Sequence, residues 1–221
     1  MRTWIAALIL MLLPFSAWAE IDPVRLYGDT IRFDVVRNGE VVGQHETRFS
    51  KVDGKLKVTS NMTLEIFVLV FPVYAFNYAS VETWSNNRLR KLDVRVLDGS
   101  DTVEVSAIAK NDALLIMGPN GEDVVRTPIL STNHWNAEVL RHDKVLNTLT
   151  GRVNMVSIQR GAQETLPLPN GSVKAVRYDY NGDLTDTSVW YDQKGRWVKL
   201  QFKARDGSTI HYLCRTCEAE G

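Results

Sequence analysis

Residues 31–46 read IRFDVVRNGEVVGQHE, and they indicate the fold more clearly than any other stretch of the chain. From Ile31 to Val35, apolar and charged side chains alternate, which is the period of a half-buried β-strand. Asn38-Gly39 follows, a pair that favours the tight turn of a β-hairpin. We therefore predict two antiparallel strands joined at this turn.

The polar residues of the second strand decide between two registers of this hairpin. A two-residue loop would place Glu46 beside the apolar side chains of the first strand. A three-residue loop, with Gly39 as a left-handed bulge, instead pairs Phe33 with His45 and keeps charge off the apolar face. We predict the second register, which points His45 inward.

The same pattern of alternating segments and turn residues continues along most of the chain. It predicts an all-β fold, a strongly curved antiparallel sheet or barrel built as a meander of about ten to twelve strands. The turn signals after the first hairpin are Asp53-Gly54, Ser85-Asn86-Asn87, Asp98-Gly99, Pro119-Asn120-Gly121, Asn170-Gly171, Asn181-Gly182, Lys194-Gly195 and Asp206-Gly207.

Residues 131–142 interrupt the β pattern and predict one short helix. Ser131 or Thr132 could cap it, and apolar residues from Trp135 onward recur at helical spacing. The segment begins with His134-Trp135-Asn136, a dense polar and aromatic cluster. This cluster could close one end of the sheet with its polar groups bonded to the backbone, or it could lie over the mouth and contact a ligand.

Residues 66–76 form the most apolar stretch after the N-terminus. They could be a buried strand with a bend. Alternatively they could form a partly exposed lip that accepts a lipid or another apolar molecule, because contiguous exposed apolar surface marks an interaction site. From Tyr74 and Phe76 to Trp84, inward and outward residues alternate again as a strand.

The N-terminus predicts export. Arg2 precedes an apolar run of about a dozen residues, and Ala17-Trp18-Ala19 presents small residues where a signal peptidase cleaves. The run is shorter than the roughly 20 residues that cross a bilayer as a helix, which argues against an uncleaved anchor. We predict a cleavable signal peptide over 1–19, cleavage after Ala19, and one periplasmic all-β domain over 20–221.

Charge and motifs exclude several functional classes. The 26 basic and 26 acidic residues give no basic excess, so a nucleic-acid partner is not expected. The four histidines and two cysteines lack metal-ligand spacing, and no phosphate-binding glycine loop or nucleophile elbow is present, so we expect no cofactor and no metal. A hydrolase site assembled in space around His134 stays open as the less favoured alternative.

Cys214 and Cys217 are the two cysteines of the chain. In an oxidising compartment they could form a small local disulfide. Their Cys-x-x-Cys spacing also occurs in redox motifs, but those lie at a helix N-terminus, whereas this pair ends a predicted strand. A structural pair is therefore the favoured interpretation, with redox and metal roles as alternatives.

Several motifs together resemble the DUF6134 family, an uncharacterised proteobacterial periplasmic family. They are the hairpin around Asn38-Gly39, Phe71-Pro72-Val73-Tyr74, Glu82-x-Trp84, His134-Trp135-Asn136 and Val189-Trp190-Tyr191-Asp192. The final meander is also similar to a second unknown-function family of periplasmic β proteins. Both resemble, in architecture, curved-sheet periplasmic carriers of lipids and lipoproteins. The resemblance implies no assigned activity; fold alone does not give function.

These observations favour a non-enzymatic protein that binds or transfers an apolar or lipid-like ligand inside the curve of the sheet. An envelope scaffold that binds a partner protein through a sheet edge or aromatic rim is the alternative. Ligand pockets are mostly apolar with a few polar groups, which guides the choice of site residues. The predicted ligand-binding residues are His45, His134, Trp135, Asn136, Tyr74, Phe76 and Trp84.

Overall fold

The computed structural model describes residues 21–218, so the predicted signal peptide over 1–19 lies outside the described residues. Strands make up nearly all of the regular secondary structure of the described chain, as the alternating pattern predicts. Its elements are α1 (Pro23–Tyr27), β1 (Thr30–Arg37), β2 (Glu40–Val52), β3 (Lys55–Val68), β4 (Phe71–Ser85), β5 (Arg88–Asp98), β6 (Asp101–Lys110), β7 (Ala113–Gly118), β8 (Gly121–Arg126), β9 (Leu130–Ser131), a 3₁₀-helix (Ala137–Arg141), β10 (Lys144–Leu146), β11 (Val153–Leu168), β12 (Gly171–Gly182), β13 (Thr187–Asp192), β14 (Trp197–Lys203) and β15 (Thr209–Cys214).

All strands belong to one sheet in the order β8-β7-β6-β5-β4-β3-β2-β1-β15-β14-β13-β12-β11-β10-β9. Every neighbouring pair is antiparallel except β9 and β10. The curved antiparallel sheet is thus confirmed, but its 15 strands exceed the ten to twelve predicted. The excess includes β9 and β10, which are two and three residues long and too short to show a period-2 pattern.

The sheet curls without closing, because β8 and β9 remain its two edges within residues 21–218. At one end, side chains join the turn between β7 and β8 to the loop between β10 and β11. The Asn120 amide donates to the Thr150 carbonyl at 3.3 Å, and the Arg152 guanidinium donates to Asn120 Oδ1 at 3.2 Å. The curved sheet therefore has a seam, a gap between β8 and β9 that loop contacts bridge and that backbone hydrogen bonds between strands do not close.

The first hairpin has the predicted register but a different turn. Phe33 pairs with His45, and His45 is buried, as expected. The loop is nevertheless two residues long, since Arg37 pairs with Glu40. Asn38-Gly39 adopts left-handed φ values of 52° and 85°, and a bulge between Val35 and Val36 restores the register. The predicted three-residue loop is wrong because the extra residue lies inside the strand.

Gly43 lies where β2 approaches β3 most closely. A Cβ at this position would stand 2.0 Å from the Thr63 carbonyl oxygen. We expect Gly43→Ala to lower the free energy of unfolding by about 2 kcal/mol or more, because the overlap is with backbone and cannot be relieved by a rotamer change. Urea denaturation measures this. Gly161→Ala is the control, since its Cβ would make ordinary contact at 3.4 Å; equal losses in both variants would contradict the steric explanation.

The predicted helix over 131–142 is only partly correct. Residues 130–131 form β9, and a single 3₁₀-helix covers Ala137–Arg141. Its N-cap is Asn136, whose side chain accepts a hydrogen bond from the Glu138 amide at 3.0 Å, instead of Ser131 or Thr132. Ser131 is occupied elsewhere, since its hydroxyl donates to a buried carboxylate.

The short helix α1 was not predicted from the sequence. Asp22 caps it, accepting from the Arg25 amide at 3.3 Å, and Pro23 occupies its first turn. Both residues are favourable at a helix start. The element is five residues long, too short for helical periodicity to be visible.

The core lies mainly inside the curve, with a second, smaller cluster on the opposite face of β11 to β14. The second cluster contains Trp190 and Val198. Alternation along residues 198–202 predicts that Val198 shares a face with Leu200 and Phe202. This prediction is wrong because a bulge pairs Tyr191 with Trp197 and turns Val198 to the other side.

Candidate functional site

Strands β3 and β4 extend beyond their neighbours at one end of the sheet. Pairing of β2 with β3 ends at Gly43–Leu64, and pairing of β5 with β4 begins at Asp98–Phe76. Residues 66–75, which we call the apolar arm, therefore pair only within the β3–β4 hairpin, and at its base the Ala75 carbonyl also accepts from the Gly99 amide at 3.0 Å. The sequence carries no charged residue between Glu65 and Glu82. A two-stranded apolar hairpin thus projects from the mouth of the curve.

Exposure along the apolar arm rises towards its tip. Leu69 is 90% exposed and Val70 is 79% exposed, and Phe71 on the returning strand is 68% exposed. Leu69 adopts a φ of 57°, a left-handed conformation that branched apolar residues rarely adopt. The tip is therefore not part of the core, and contiguous exposed apolar side chains of this size are typical of interaction surfaces.

Two predicted ligand residues lie at the base of the apolar arm. Phe76 is partly buried against the core, whereas Tyr74 is partly exposed. The Tyr74 hydroxyl donates to Asp98 Oδ1 at 2.6 Å, and Arg205 contacts Asp98 Oδ2 at 3.0 Å. Desolvation and the Asp98 carboxylate raise the pKa of Tyr74 to about 12, which keeps this hydroxyl a donor. Because Arg205 lies in the turn after β14, this contact crosses the mouth of the curve.

A fully buried carboxylate organises the interior towards the opposite end. Glu82 Oε1 accepts from Ser131 Oγ at 2.5 Å and from Asn133 Nδ2 at 2.8 Å. Glu82 Oε2 accepts from the indole nitrogens of Trp84 and Trp135, each at 2.9 Å. All four donors are uncharged side chains. The carboxylate of β4 thus fixes the segment around residues 131–135 against the sheet.

The structure brings the predicted residues Trp84 and Trp135 together on this carboxylate, whereas Asn136 caps the 3₁₀-helix; all three are buried. The Trp135 ring packs edge-on against Trp84, with centroids 5.3 Å apart, and its carbonyl accepts from the Tyr27 hydroxyl at 2.7 Å. Their polar groups are therefore bonded within the protein. Asn136 bonds to the backbone, as one of the two interpretations of the 134–136 cluster expects, whereas Trp135 bonds to a side-chain carboxylate instead.

Glu82 itself was not among the predicted site residues. The sequence contained a signal, because the inward alternation Tyr78, Ser80, Glu82, Trp84 places one carboxylate on an apolar face. A buried carboxylate requires several donors. Three of its donors come from outside the local strand pattern, and nothing near Glu82 in the sequence indicates them.

The two predicted histidines meet in one aromatic cluster. Trp197 lies 5.6 Å from the His45 ring and 5.9 Å from the His134 ring, between centroids. His45 Nε2 bonds to Thr47 Oγ1 at 3.1 Å, whereas His45 Nδ1 has no hydrogen-bond partner. His134 has a left-handed φ of 55°, and its carbonyl accepts from the Tyr191 hydroxyl at 2.7 Å. Both side chains are buried.

Burial determines the protonation of both imidazoles. Desolvation lowers the pKa of His45 to about 3, with a further contribution from nearby His134, and Glu46 opposes the shift. Desolvation likewise lowers the pKa of His134 to about 4. Both rings are neutral at pH 7, which suits an aromatic core. A general base needs access to its substrate as well as a suitable pKa, and burial denies that access to His134 in this conformation.

Three further observations concern metal ions, crosslinks and membrane-spanning helices. Within residues 21–218, no group of three or more histidine, cysteine, aspartate or glutamate side chains could hold a metal ion. Cys214 and Cys217 form a disulfide, with Cα atoms 5.7 Å apart. The described chain also contains no helix that combines the length and apolarity required to cross a bilayer.

A polar gap lies at the seam of the sheet. It encloses about 420 Å³ between β8 and the start of β11, and its lining residues are Asp123, Arg152, Val153, Asn154 and Asp183. Asn154 Oδ1 is buried without a hydrogen-bond partner. Since β8 pairs only with β7, its second edge faces this gap.

Comparisons with known proteins agree with this architecture. A crystal structure of a β-barrel-like protein from Brucella abortus, of the domain of unknown function DUF1849, superposes with a TM-score of 0.59 at 9% sequence identity. The match covers 87% of this chain and 97% of that one, and at this identity it shows the fold alone. No curated protein shows significant sequence similarity to the chain. The model of DUF6134, a domain of unknown function, matches residues 33–215, so this chain belongs to the DUF6134 family.

Proposed function

We propose that this protein is a non-enzymatic periplasmic protein that binds or transfers an apolar, lipid-like ligand. The observation that carries the proposal is the apolar arm, whose tip exposes Leu69, Val70 and Phe71 to solvent. Monomeric soluble proteins rarely expose contiguous large apolar side chains unless they bind something. The periplasmic location is supported by the signal-peptide features of residues 1–19.

The seven predicted ligand residues divide into two groups under this proposal. Tyr74 and Phe76 lie at the base of the apolar arm, and we assign them direct contact with the ligand. The other five are buried and packed, so we assign them to the interior that supports the sheet and not to contact with the ligand. These five are His45, Trp84, His134, Trp135 and Asn136.

Titration of delipidated protein with an apolar fluorescent dye tests this function. Native mass spectrometry checks which molecules are bound to the protein. We expect saturable dye uptake that Leu69→Asp weakens at least tenfold, because burying a leucine contributes about 1.5–3 kcal/mol and a buried carboxylate opposes binding. Ile108→Asp is the matched control, since Ile108 is also an exposed apolar residue but lies on β6, away from the arm. Absence of saturable uptake, or equal loss in both variants, would overturn the proposal.

A second candidate function is an envelope scaffold that binds a partner protein through a sheet edge. The open edge of β8 and the adjacent gap favour it, because an unpaired strand edge can accept an extended segment. A photoreactive residue in place of Val124 should then capture one stoichiometric partner in cells. Recovery of the monomer alone would remove this candidate. The hydrolase alternative has less support, because His134 is buried in an aromatic cluster.

A further inference from the structure

We propose that the apolar arm inserts into the surface of a phospholipid bilayer, so that the protein meets its ligand at a membrane. This inference rests on the proposed function, because it assigns the same arm as the apolar contact surface. It further specifies what the arm contacts: the interfacial region of a lipid leaflet rather than a single bound molecule.

The distribution of exposed side chains supports a fluid occupant. Residues 69–73 are all exposed, and successive strand residues point to opposite faces, so both faces of the apolar arm are open. A rigid protein groove would cover one face of a hairpin and leave the other in water. Acyl chains can surround the whole tip, and exposure is greatest at Leu69, where insertion would begin.

The charges near the apolar arm fit the layers of a bilayer surface. The arm carries no charge, while its base carries Tyr74 bonded to Asp98 and Arg205 beside the same carboxylate. The Arg205 side chain is 89% exposed, which leaves guanidinium donors available for lipid phosphates. Tyrosine combines an apolar ring with a polar tip and suits the boundary between water and hydrocarbon. Headgroups would therefore lie at the level of Tyr74 and Arg205.

The backbone limits how deep the arm can enter. From Tyr74 to Val70 the arm extends roughly 13 Å at about 3.3 Å per residue. Its outer edges have no strand partner, and unpaired backbone groups are costly in hydrocarbon. We therefore infer shallow insertion, of about 5–10 Å, into the boundary of headgroups and acyl chains.

Site-specific fluorescence on vesicles tests this inference. The two native cysteines are joined in a disulfide, so Leu69→Cys provides a single thiol for an environment-sensitive dye such as NBD. On vesicles of phosphatidylcholine and phosphatidylglycerol, we expect a blue shift and quenching by nitroxides placed near the headgroup. Nitroxides near the acyl-chain ends should quench the dye less. Lys55→Cys is the control, because Lys55 begins β3, at the end of that strand opposite to the turn at Leu69, and should stay in water.

A vesicle flotation assay with Leu69→Asp completes the test. We expect the unmodified protein to float with the vesicles and this variant to lose at least nine-tenths of that association. If the protein takes up the apolar dye but does not float, the membrane inference is overturned and the proposed function stands. If neither binding is found, both are overturned. Equal fluorescence responses at positions 55 and 69 would also overturn insertion through the arm.

Discussion

Glu82→Gln should lower the free energy of unfolding by about 2–4 kcal/mol, although it changes little in volume. The carboxylate accepts from Trp84, Trp135, Ser131 and Asn133. A glutamine keeps one acceptor oxygen but replaces the other with an NH₂ group. This NH₂ group would face side chains that themselves donate, so they would lose their acceptor. Each buried donor that loses its partner costs about 1–3 kcal/mol. Urea denaturation followed by tryptophan fluorescence measures the change, and two of the donors are themselves reporters.

Glu104→Gln provides the matched control for this substitution. Glu104 lies on β6 with its side chain exposed, so the change should stay within about 0.5 kcal/mol. Similar small effects at positions 82 and 104 would show that the Glu82 network does not hold the 131–135 segment in place. The segment should also become more accessible to hydrogen exchange in Glu82→Gln, which separates local release from a uniform loss of stability.

Stability should fall steeply as the pH drops from about 6.5 to 5. The unfolded chain binds protons at its histidines in this range, whereas His45 and His134 in the folded protein have pKa values of about 3 and about 4. The stability contributed by these two neutral histidines is therefore complete above pH 6.5. It is lost progressively as the pH falls towards their folded pKa values of about 3 and about 4. Each such group contributes a slope approaching 1.4 kcal/mol per pH unit. Denaturation curves at several pH values give the combined slope.

His134→Asn isolates one of the two contributions. His134 has a left-handed φ, which asparagine also tolerates, so the backbone should be retained. The slope between pH 6.5 and 5 should drop by up to about 1.4 kcal/mol per pH unit, because one fully buried neutral imidazole is removed. The remaining slope comes from His45 and from His211, whose pKa is also lowered by burial. His142→Asn is the control, since His142 is partly exposed at the end of the 3₁₀-helix. An unchanged slope in His134→Asn would contradict the prediction.

Local patterns predicted the strands well because the information lies within a few residues. The alternation around Phe33 and the turn at Asn38-Gly39 determined the first hairpin, including the inward direction of His45. The bulge near Val35 was not visible, since it depends on how the paired strand fits the curve. The same reason explains Val198, whose face changes at a bulge in β13 and β14.

The candidate site was predicted in its parts and not in its arrangement. The apolar composition of residues 66–76 is a property of the sequence. Its exposure is decided by the tertiary structure, because β2 ends its pairing at Gly43 and β5 ends at Asp98, which leaves most of the arm without a strand on either side. A longer pairing on either side would have placed the same residues within the sheet.

The sequence by itself determined the all-β class, most hairpins and the apolar character of the arm, because alternation and turn residues act over short distances. Only the tertiary structure decided the partners of Glu82 and the meeting of His45 and His134 around Trp197. Those contacts join residues about 50 to 150 positions apart. They form only when the sheet curls, and no local pattern encodes which distant side chains then fill its interior.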